Sequence, residues 1–300
     1  MLFLRSEIFQ SMRQTETSSP QQRLTVRILK VTAGTILGAL AMTLSLPLTA
    51  GGIDPDWQDA GNGIQLYSAK LDLFNSVQSI SAVRYKAAMH KTGIVNDPEE
   101  MADSTSALAL RHNAVGAVNG SYFNMDSLIP ITFVKDDGIV EGLPKISDPI
   151  RTEGIVAVMN ERKVVVAPCD TSAAGIAGKC SEGLASGPLL LQSGRPVRES
   201  WPDRAFYTKR HPRTIVGTDS KGWVYFIVID GRSRGNADGA TIAETLQIAL
   251  EFGLKDALNL DGGGSSTLWL KGAGVISHPS DNKRFDHYGQ RCVPNAVVFR

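Results

Sequence analysis

A run of three glycines between a carboxylate and several hydroxyls is the strongest chemical signal in the sequence. The segment reads Asp261, Gly262, Gly263, Gly264, Ser265, Ser266 and Thr267. Glycines let the backbone approach a ligand closely and point several N–H groups into one concavity, which suits an anion and phosphate above all. The lysine of a P-loop is missing, and the spacing is not that of a dinucleotide fingerprint. The alternative is a tight turn in which Asp261 is only a cap.

A second carboxylate follows an apolar stretch in the same way. Asp230 comes directly after residues 227–229 and is followed by Gly231 and Arg232. If the strands that end in Asp230 and Asp261 were neighbours, proximity could separate the two pKa values and provide one acid and one base. The sequence does not show that the strands are neighbours, and an ordinary Asp-Gly turn is the alternative.

Glu244 is a third candidate carboxylate. It ends the segment Thr241–Glu244, a capping-box pattern that already gives this side chain a structural task. Asp230, Glu244 and Asp261 together could hold Ca²⁺ or Mg²⁺, because hard cations take carboxylate oxygens. The pattern requires no cofactor, and the five histidines show no metal-binding spacing.

Two further segments carry side chains that could contact a ligand. Arg213 precedes the predicted strand 215–217, and the planar fork of an arginine binds phosphate or carboxylate groups. Asn119 and Gly120 follow an apolar run beside aromatic residues, where an asparagine can bind sugar hydroxyls. A surface salt bridge for Arg213 and an Asn-Gly turn are the respective alternatives.

Short apolar runs have to position these residues, and most of them have the pattern of strands. Residues 64–73 alternate in part, and residues 155–159 and 163–167 are typical of a hairpin. The run 223–229 is apolar on both faces, which predicts a strand at the centre of a sheet. The sequence therefore predicts that strands outnumber helices.

Two helices are indicated by the sequence. The first would run from Asp97, with Pro98 in its first turn, to about Arg111, and the second from Thr241 to near Gly253. Few helices among many strands predict an α+β fold, a strand-rich single domain with a mixed sheet.

The first fifty residues differ from the rest of the chain. Residues 1–30 hold five basic and two acidic residues, and residues 31–48 carry no charge. The length of this apolar stretch lies between that of a signal-peptide core and that of a spanning helix, and a small residue at position 50 suits peptidase cleavage. We therefore expect residues 1–50 to be a signal peptide or membrane anchor, and residues 51–300 to be an exported domain, periplasmic or extracellular.

The charge balance limits the kind of partner. The chain has 31 basic and 30 acidic residues, a net charge of +1, and no lysine or arginine tract, so we expect no nucleic-acid partner. Without residues 1–50 the counts are 26 and 28, a net charge of about −2. Recognition of an anion would therefore depend on a local site.

Taken in chain order, these motifs resemble the phosphodiester glycosidase family. The matching segments, which span roughly residues 115–300, are Asn119–Phe123, His211–Thr214, Asp230–Arg232, Gly239–Glu244, Asn259–Ser266, Ser277–Asp281 and Arg291–Pro294. The Asp-Gly-Gly-Gly-Ser element and the upstream Asp-Gly-Arg are the most specific. The family usually has Asn-Gly-Gly-Phe-Phe where this chain has Asn-Gly-Ser-Tyr-Phe, which adds a side chain beside the expected pocket.

The resemblance implies hydrolysis of a sugar-1-phosphodiester, such as one of N-acetylglucosamine, into a sugar and a phosphomonoester, in cell-envelope or exopolysaccharide metabolism. For this reaction, the residue pattern supplies the following candidates. The candidate catalytic residues are Asp261, Asp230 and Glu244, and the candidate substrate-binding residues are Asn119, Gly120, Arg213, Arg232, Gly262, Gly263, Gly264, Ser265 and Ser266. In this assignment Arg213 and the glycine amides hold the phosphate, while Asn119 and Arg232 orient the sugar. The carboxylates assist departure of the phosphate and activate water.

The expected partner is a phosphorylated glycan or sugar phosphodiester, with a membrane contacted only through residues 1–50. A non-catalytic module that binds phosphoglycans through the same glycine segment is the main alternative. An aspartic peptidase would need Asp-Thr-Gly or Asp-Ser-Gly, and neither Asp230 nor Asp261 stands in such a motif.

Overall fold

The computed structural model describes residues 53–97, 102–142, 147–160 and 162–300. The predicted signal peptide or anchor lies outside these ranges. All of the described residues belong to one unit, Pro47–Arg300, defined by its internal contacts. None of the helices within them has the length and apolar character that a membrane crossing needs.

Strands make up most of the regular structure in these ranges. They are β1 (Gln58–Gly61), β2 (Ile64–Leu73), β3 (Ser76–Lys86), β4 (Thr92–Asn96), β5 (Asp103–Ser104), β6 (Gly116–Asn119), β7 (Val134–Asp136), β8 (Ile139–Gly142), β9 (Gly154–Asn160), β10 (Lys163–Pro168), β11 (Glu182–Ser186), β12 (Leu189–Gln192), β13 (Arg195–Pro196), β14 (Arg213–Thr218), β15 (Trp223–Ile229), β16 (Asp256–Asn259), β17 (Leu268–Leu270), β18 (Gly274–Val275), β19 (Cys292–Val293) and β20 (Asn295–Phe299). The helices are α1 (Thr105–Arg111), α2 (Ile176–Lys179), α3 (Ala205–Thr208) and α4 (Ile242–Glu251), with 3₁₀ turns at Pro149–Thr152 and Gly263–Ser265.

These strands form four sheets. The largest has eight strands in the order β1-β2-β3-β15-β14-β16-β12-β13. Two five-stranded sheets have the orders β10-β9-β11-β7-β8 and β18-β17-β6-β20-β4, and β19 pairs with β5. The strand-rich α+β fold with few helices is thereby confirmed.

The pairing between strands differs from the predicted mixed sheet, because every strand pair in the described ranges is antiparallel. Helix α4 connects β15 to β16, which run in the same direction, as a crossover helix should. However, β14 lies between these two strands and pairs with both. The crossover therefore creates no parallel pair.

Several predicted strands are confirmed. Strand β2 has the predicted bounds, and β9 and β10 form the predicted antiparallel hairpin. In β15, every residue after Trp223 is buried. Its alternate side chains enter two different hydrophobic clusters, one with Phe226 and Val228 and the other with Ile227 and Ile229. The central strand is therefore covered on both faces, as predicted.

The two predicted helices have different outcomes. Helix α4 begins as predicted, because the Glu244 N–H donates to the Thr241 hydroxyl and the Thr241 N–H donates to the Glu244 carboxylate. Helix α1 begins at Thr105 and not near Asp97, so its predicted start is wrong. Residues 103–104 pair with β19 instead, and the Ser104 hydroxyl caps the helix by accepting from the Ala107 N–H.

Candidate active site

The candidate site lies at one end of three strands of the large sheet, where β14 begins and β15 and β16 end. This end of the strands is called the edge below. Strand β14 begins at Arg213, which pairs with Ile229, the last residue of β15. Strand β16 pairs with the other side of β14 and ends at the same edge. Asp230 and Asp261 follow the ends of β15 and β16, which are about 10 Å apart, or two strand spacings. The strands are therefore not direct neighbours.

A cavity of about 170 Å³ opens at this edge. Its lining residues are Tyr122, Arg151, Phe206, His211, Arg213, Arg232, Asp261, Gly262 and Gly263. Five of the predicted site residues therefore line one cavity: Asp261, Arg213, Arg232, Gly262 and Gly263. The volume is below the roughly 300 Å³ at which whole-ligand pockets begin, and it suits one part of a ligand, such as a phosphoryl group.

The glycines allow three close approaches to the backbone. A Cβ on Gly262 would lie 2.7 Å from the Pro212 carbonyl oxygen, and one on Gly263 would lie 2.7 Å from Nη2 of Arg232. Gly263 also has a φ of +64°, in the left-handed region. A Cβ on Gly264 would overlap the side chains of Asp281 and Arg291. The glycine segment therefore allows charged side chains to lie directly on the main chain.

The backbone amides of this segment are less available than the sequence predicts. The Gly262 N–H donates to Oδ1 of Asp261 at 2.8 Å, and the Gly263 N–H donates to the Pro212 carbonyl at 2.9 Å. Both amides therefore have acceptors within the chain. Any phosphate held here would depend mainly on side-chain donors.

Arg213 is a buried cation held by main-chain carbonyls. Its residue is only 2% exposed, and its Nε donates to the Ala240 carbonyl at 2.9 Å. Its Nη2 donates to the carbonyls of Phe206 and Lys209, at 2.6 and 3.2 Å. Burial lowers the pKa of Arg213 to about 10, so the guanidinium stays charged at neutral pH.

Two more arginines bring positive charge to the cavity. The guanidinium of Arg151 lies 4.1 Å from the ring centroid of Tyr122 and 4.7 Å from that of Phe206. Cation–π contacts of this kind fix a guanidinium without neutralising it. Arg232 is exposed and reaches over Gly263. In the described ranges, Arg151, Arg232 and Arg213 form no ion pair with a carboxylate. The cavity therefore has an excess of positive charge.

Asp261 is the carboxylate of this cavity. Burial raises its pKa above the usual 3.8, and this effect outweighs the opposing contributions of the Ser265 hydroxyl, the Gly262 N–H and the cations Arg151 and Arg291. A carboxyl group that keeps its proton to higher pH is suited to protonate a departing oxygen.

Asp230 lies outside the cavity lining and is committed to other groups. It is 1% exposed, and its carboxylate accepts from the Ser79 hydroxyl at 2.7 Å. It also accepts from the backbone N–H and the ring Nδ1 of His278, both at 2.8 Å. A carboxylate enclosed in this way positions its neighbours and does not face a substrate.

Glu244 is likewise absent from the cavity lining. Besides its capping-box contacts, it accepts two hydrogen bonds from Nε of Arg210, both at 3.1 Å, and one from Nη2 at 2.6 Å. This ion pair and the helix cap account for the whole carboxylate. The structure therefore supports a helix-capping role for Glu244 and not a catalytic one.

Asn119 and Gly120 hold the backbone of Asp261 from beneath. The Asn119 Nδ2 donates to the Asp261 carbonyl at 2.8 Å, and its Oδ1 accepts from Thr214 and Thr267. The Asp261 N–H donates to the Gly120 carbonyl at 3.1 Å. Asn119 is fully buried, so its contacts are with the chain and not with a sugar.

The remaining predicted binding residues lie behind the cavity. Ser265 and Ser266 are buried, at 0% and 1% exposure, and neither lines the cavity. Gly264 is covered by Asp281 and Arg291. These residues shape the turn from behind.

Some cavity residues were not assigned from the sequence. Arg151 comes from the 3₁₀ turn Pro149–Thr152, in a stretch without any motif, so no sequence signal could have found it. His211 and Tyr122 stand inside segments that carried the family resemblance, and Phe206 lies in α3. His278 also lies in such a segment, but its contact with Asp230 becomes apparent only from the fold.

No group of three histidine, cysteine, aspartate or glutamate side chains in the described part of the chain could hold a metal ion. Asp230, Glu244 and Asp261 in particular have separate partners. The three carboxylates therefore do not fit a shared Ca²⁺ or Mg²⁺ site.

Comparison with known proteins supports the assignment by resemblance. Residues 112–300 match the family model described as phosphodiester glycosidase. A stretch of 70 residues is 39% identical to N-acetylglucosamine-1-phosphodiester alpha-N-acetylglucosaminidase of Bos taurus, covering 23% of this chain and 13% of that protein. An uncharacterized SPbeta prophage-derived protein of Bacillus subtilis strain 168 is 25% identical over 237 residues, covering 75% of this chain and 35% of the other. The matches thus span only a small part of these relatives.

Solved structures agree on the fold. The catalytic domain of zebrafish N-acetylglucosamine-1-phosphodiester alpha-N-acetylglucosaminidase superposes with a TM-score of 0.63 at 15% identity, covering 81% of this chain and 85% of that chain. A hypothetical protein from Synechocystis has a TM-score of 0.58 at 16% identity, covering 83% of this chain and 64% of that chain. Since the family model matches well over half of the sequence, the chain belongs to the phosphodiester glycosidase family.

Proposed function

We propose that the protein hydrolyses the glycosidic bond of a sugar-1-phosphodiester and releases a free sugar and a phosphomonoester. The observation that carries this proposal is the cavity in which three arginines without carboxylate partners in the described ranges surround one protonatable carboxyl group, Asp261. Such a site is built for an anion whose negative charge grows as a bond breaks.

The arginines would bind the phosphate. A phosphodiester carries one negative charge, and further negative charge develops on the bridging oxygen as its bond to the anomeric carbon breaks. Cations that are already in place, such as Arg213 and Arg151, stabilise the added charge without reorganising. Their contribution therefore favours the transition state over the ground state.

Asp261 would protonate the bridging oxygen as it leaves. Because its pKa is raised by burial, Asp261 keeps its proton to a higher pH than an exposed aspartate does. A phosphate is already a fair leaving group, so we assign the larger share of the rate acceleration to the arginines.

The family and the bovine and zebrafish relatives support N-acetylglucosamine as the first sugar to test. The basic and apolar character of residues 1–50 supports export, which would give access to phosphorylated glycans of the cell envelope or to exopolysaccharide. A membrane would be contacted only through that segment.

The proposed reaction needs no metal, since arginines supply the positive charge and the three candidate carboxylates do not share a site. Treatment with a chelator is therefore expected to leave the rate unchanged. A loss of activity that Ca²⁺ or Mg²⁺ restores would contradict this part of the proposal.

The test is a time course with a diester of N-acetylglucosamine-1-phosphate and p-nitrophenol in water labelled with heavy oxygen. We expect free N-acetylglucosamine and p-nitrophenyl phosphate in equal amounts, with the label on the sugar. Label on the phosphate would mean cleavage of a phosphorus–oxygen bond and would contradict glycosidase chemistry. Saturable binding of the diester without turnover would instead favour a phosphoglycan-binding module.

A further inference from the structure

Among the described residues that line the cavity, only two carry groups that can exchange a proton in the ordinary pH range. The guanidinium groups of its arginines cannot act as bases. Burial raises the pKa of Tyr122, and its hydroxyl donates to the carbonyls of Gly187 and Leu260, at 2.7 and 3.3 Å. The groups that remain are Asp261 and His211.

The other predicted carboxylates are not available for this role. The Asp230 carboxylate is enclosed by Ser79 and His278, and the Glu244 carboxylate by Arg210 and the cap of α4. Neither carboxylate lines the cavity. If the reaction needs both a proton donor and a proton acceptor, His211 is therefore the group left to act beside Asp261.

His211 is fixed firmly at the cavity wall. The backbone N–H of His211 donates to the Ala240 carbonyl at 3.1 Å, and the His211 backbone carbonyl accepts from the Ala240 N–H at 2.9 Å. Gly239, with a φ of +86°, packs against the same backbone, where a Cβ would lie 2.6 Å from the His211 carbonyl. Arg213, two residues further on, is anchored to Ala240 as well. The backbone of His211 and the guanidinium of Arg213 are therefore both fixed at Ala240.

We propose that His211 is the general base of this site and accepts the proton of the water that attacks the anomeric carbon. In this step the water oxygen forms a bond to the anomeric carbon, and the bond from that carbon to the bridging oxygen breaks. The electron pair of that bond stays on the phosphate, which takes a proton from Asp261. The water proton goes to the imidazole ring and then to solvent. This assignment rests on the proposed function.

Burial and the cations around His211 favour its neutral imidazole, the form that can accept a proton. Burial, followed by the cations Arg213 and Arg232 and by Lys209, lowers its pKa below the usual 6.5, while the Ala205 carbonyl opposes them. The other charged or titratable groups on the surrounding elements are Arg151, Tyr122 and Asp261 in the cavity and the Arg210–Glu244 pair beside it. A bound anion would offset the arginines and raise the basicity of the ring when substrate is present.

The first test compares His211→Gln with the wild type and with His287→Gln, which replaces an exposed histidine outside the cavity. We expect the His211 variant to lose about 10²- to 10⁴-fold in kcat, to lose the acidic limb of the kcat/KM profile, and to regain part of its rate with added azide. His287→Gln should keep both the rate and the limb. A His211 variant with kcat within about threefold of the wild type and an unchanged acidic limb overturns the assignment.

A second measurement does not depend on a variant that folds. Histidine ring signals of the wild type are titrated by NMR with and without inorganic phosphate. We expect one histidine pKa below 6.5 that rises when phosphate is added, and no such rise would overturn the placement of His211 beside the anion. A wild-type protein that hydrolyses no sugar phosphodiester would overturn the proposed function itself, whereas an active wild type with an unaffected His211 variant refutes the base assignment alone.

Discussion

Asp230 and His278 are joined by two hydrogen bonds of 2.8 Å, one from the backbone N–H of His278 and one from its ring Nδ1. The ring stacks on Phe285, with 3.8 Å between the centroids and 6° between the planes. Asp230 thereby anchors the loop that starts at residue 277 to the end of β15.

The same loop reaches the glycine turn. Asp281 accepts from Nη2 of Arg291 at 2.6 Å, and this ion pair lies on Gly264. The contact between Asp230 and His278 therefore supports the far side of the turn that carries Asp261.

We predict that Asp230→Asn destabilises the protein and reduces kcat/KM, while inorganic phosphate still binds. The amide cannot accept from all three donors, so the free energy of unfolding should fall by about 1–3 kcal/mol. Denaturant unfolding and phosphate titration measure the two effects. Asp72→Asn, at an exposed position of β2, is the matched control and should change neither. An unchanged unfolding free energy in the Asp230 variant would show that the anchor is unimportant.

Arg151→Gln should weaken phosphate binding with little effect on stability. Its guanidinium lies against aromatic rings and forms no ion pair in the described ranges, so its charge is available to an anion. We expect the Kd for inorganic phosphate to rise about tenfold, equivalent to roughly 1.4 kcal/mol. Calorimetric titration measures it, and Arg162→Gln, at an exposed position, is the control. Equal affinities in the two variants would remove Arg151 from the binding site.

Gly263→Ala and Gly138→Ala separate backbone strain from the approach of Arg232. Both glycines have positive φ, +64° and +81°, so each substitution should cost about 1–2 kcal/mol of stability. Only the Gly263 variant places a Cβ against Nη2 of Arg232, since nothing lies within 4 Å at Gly138. We expect weaker phosphate binding in the Gly263 variant alone, and equal binding in both would contradict a role for Arg232.

The kcat/KM profile should be bell-shaped, with an acidic limb set by His211 and a basic limb set by Asp261. Activity should fall with acid as His211 becomes protonated, below its usual 6.5, and with base as Asp261 loses its proton, above its usual 3.8. Asp261→Asn should lower kcat by about 10²-fold or more and remove the basic limb. A variant that keeps its rate and both limbs would exclude Asp261 as the proton donor.

The sequence predicted those parts of the fold that depend on local pattern. The apolar residues on both faces of β15 identify a central strand. The capping box of Thr241 and Glu244 identifies the start of α4. The start of α1 was mispredicted because a long-range pairing of residues 103–104 with β19 competes with the helix. Local propensity contains no information about that pairing.

The candidate site was predictable to the extent that motifs mark it. Asp261, Arg213 and Arg232 stand in motifs, and all three line the cavity. Asp230 looks equivalent to Asp261 in sequence, and only the insertion of β14 and the contact with His278 distinguish them. Arg151 stands in no motif, and tertiary packing alone brings it to the cavity.

The anchoring of Arg213 by carbonyl groups has an evolutionary consequence. Every residue offers a main-chain carbonyl, so the side chains at positions 206, 209 and 240 can be exchanged without removing an acceptor. The surface around the cavity can thus diversify toward other ligands, while the buried guanidinium of Arg213 stays in place.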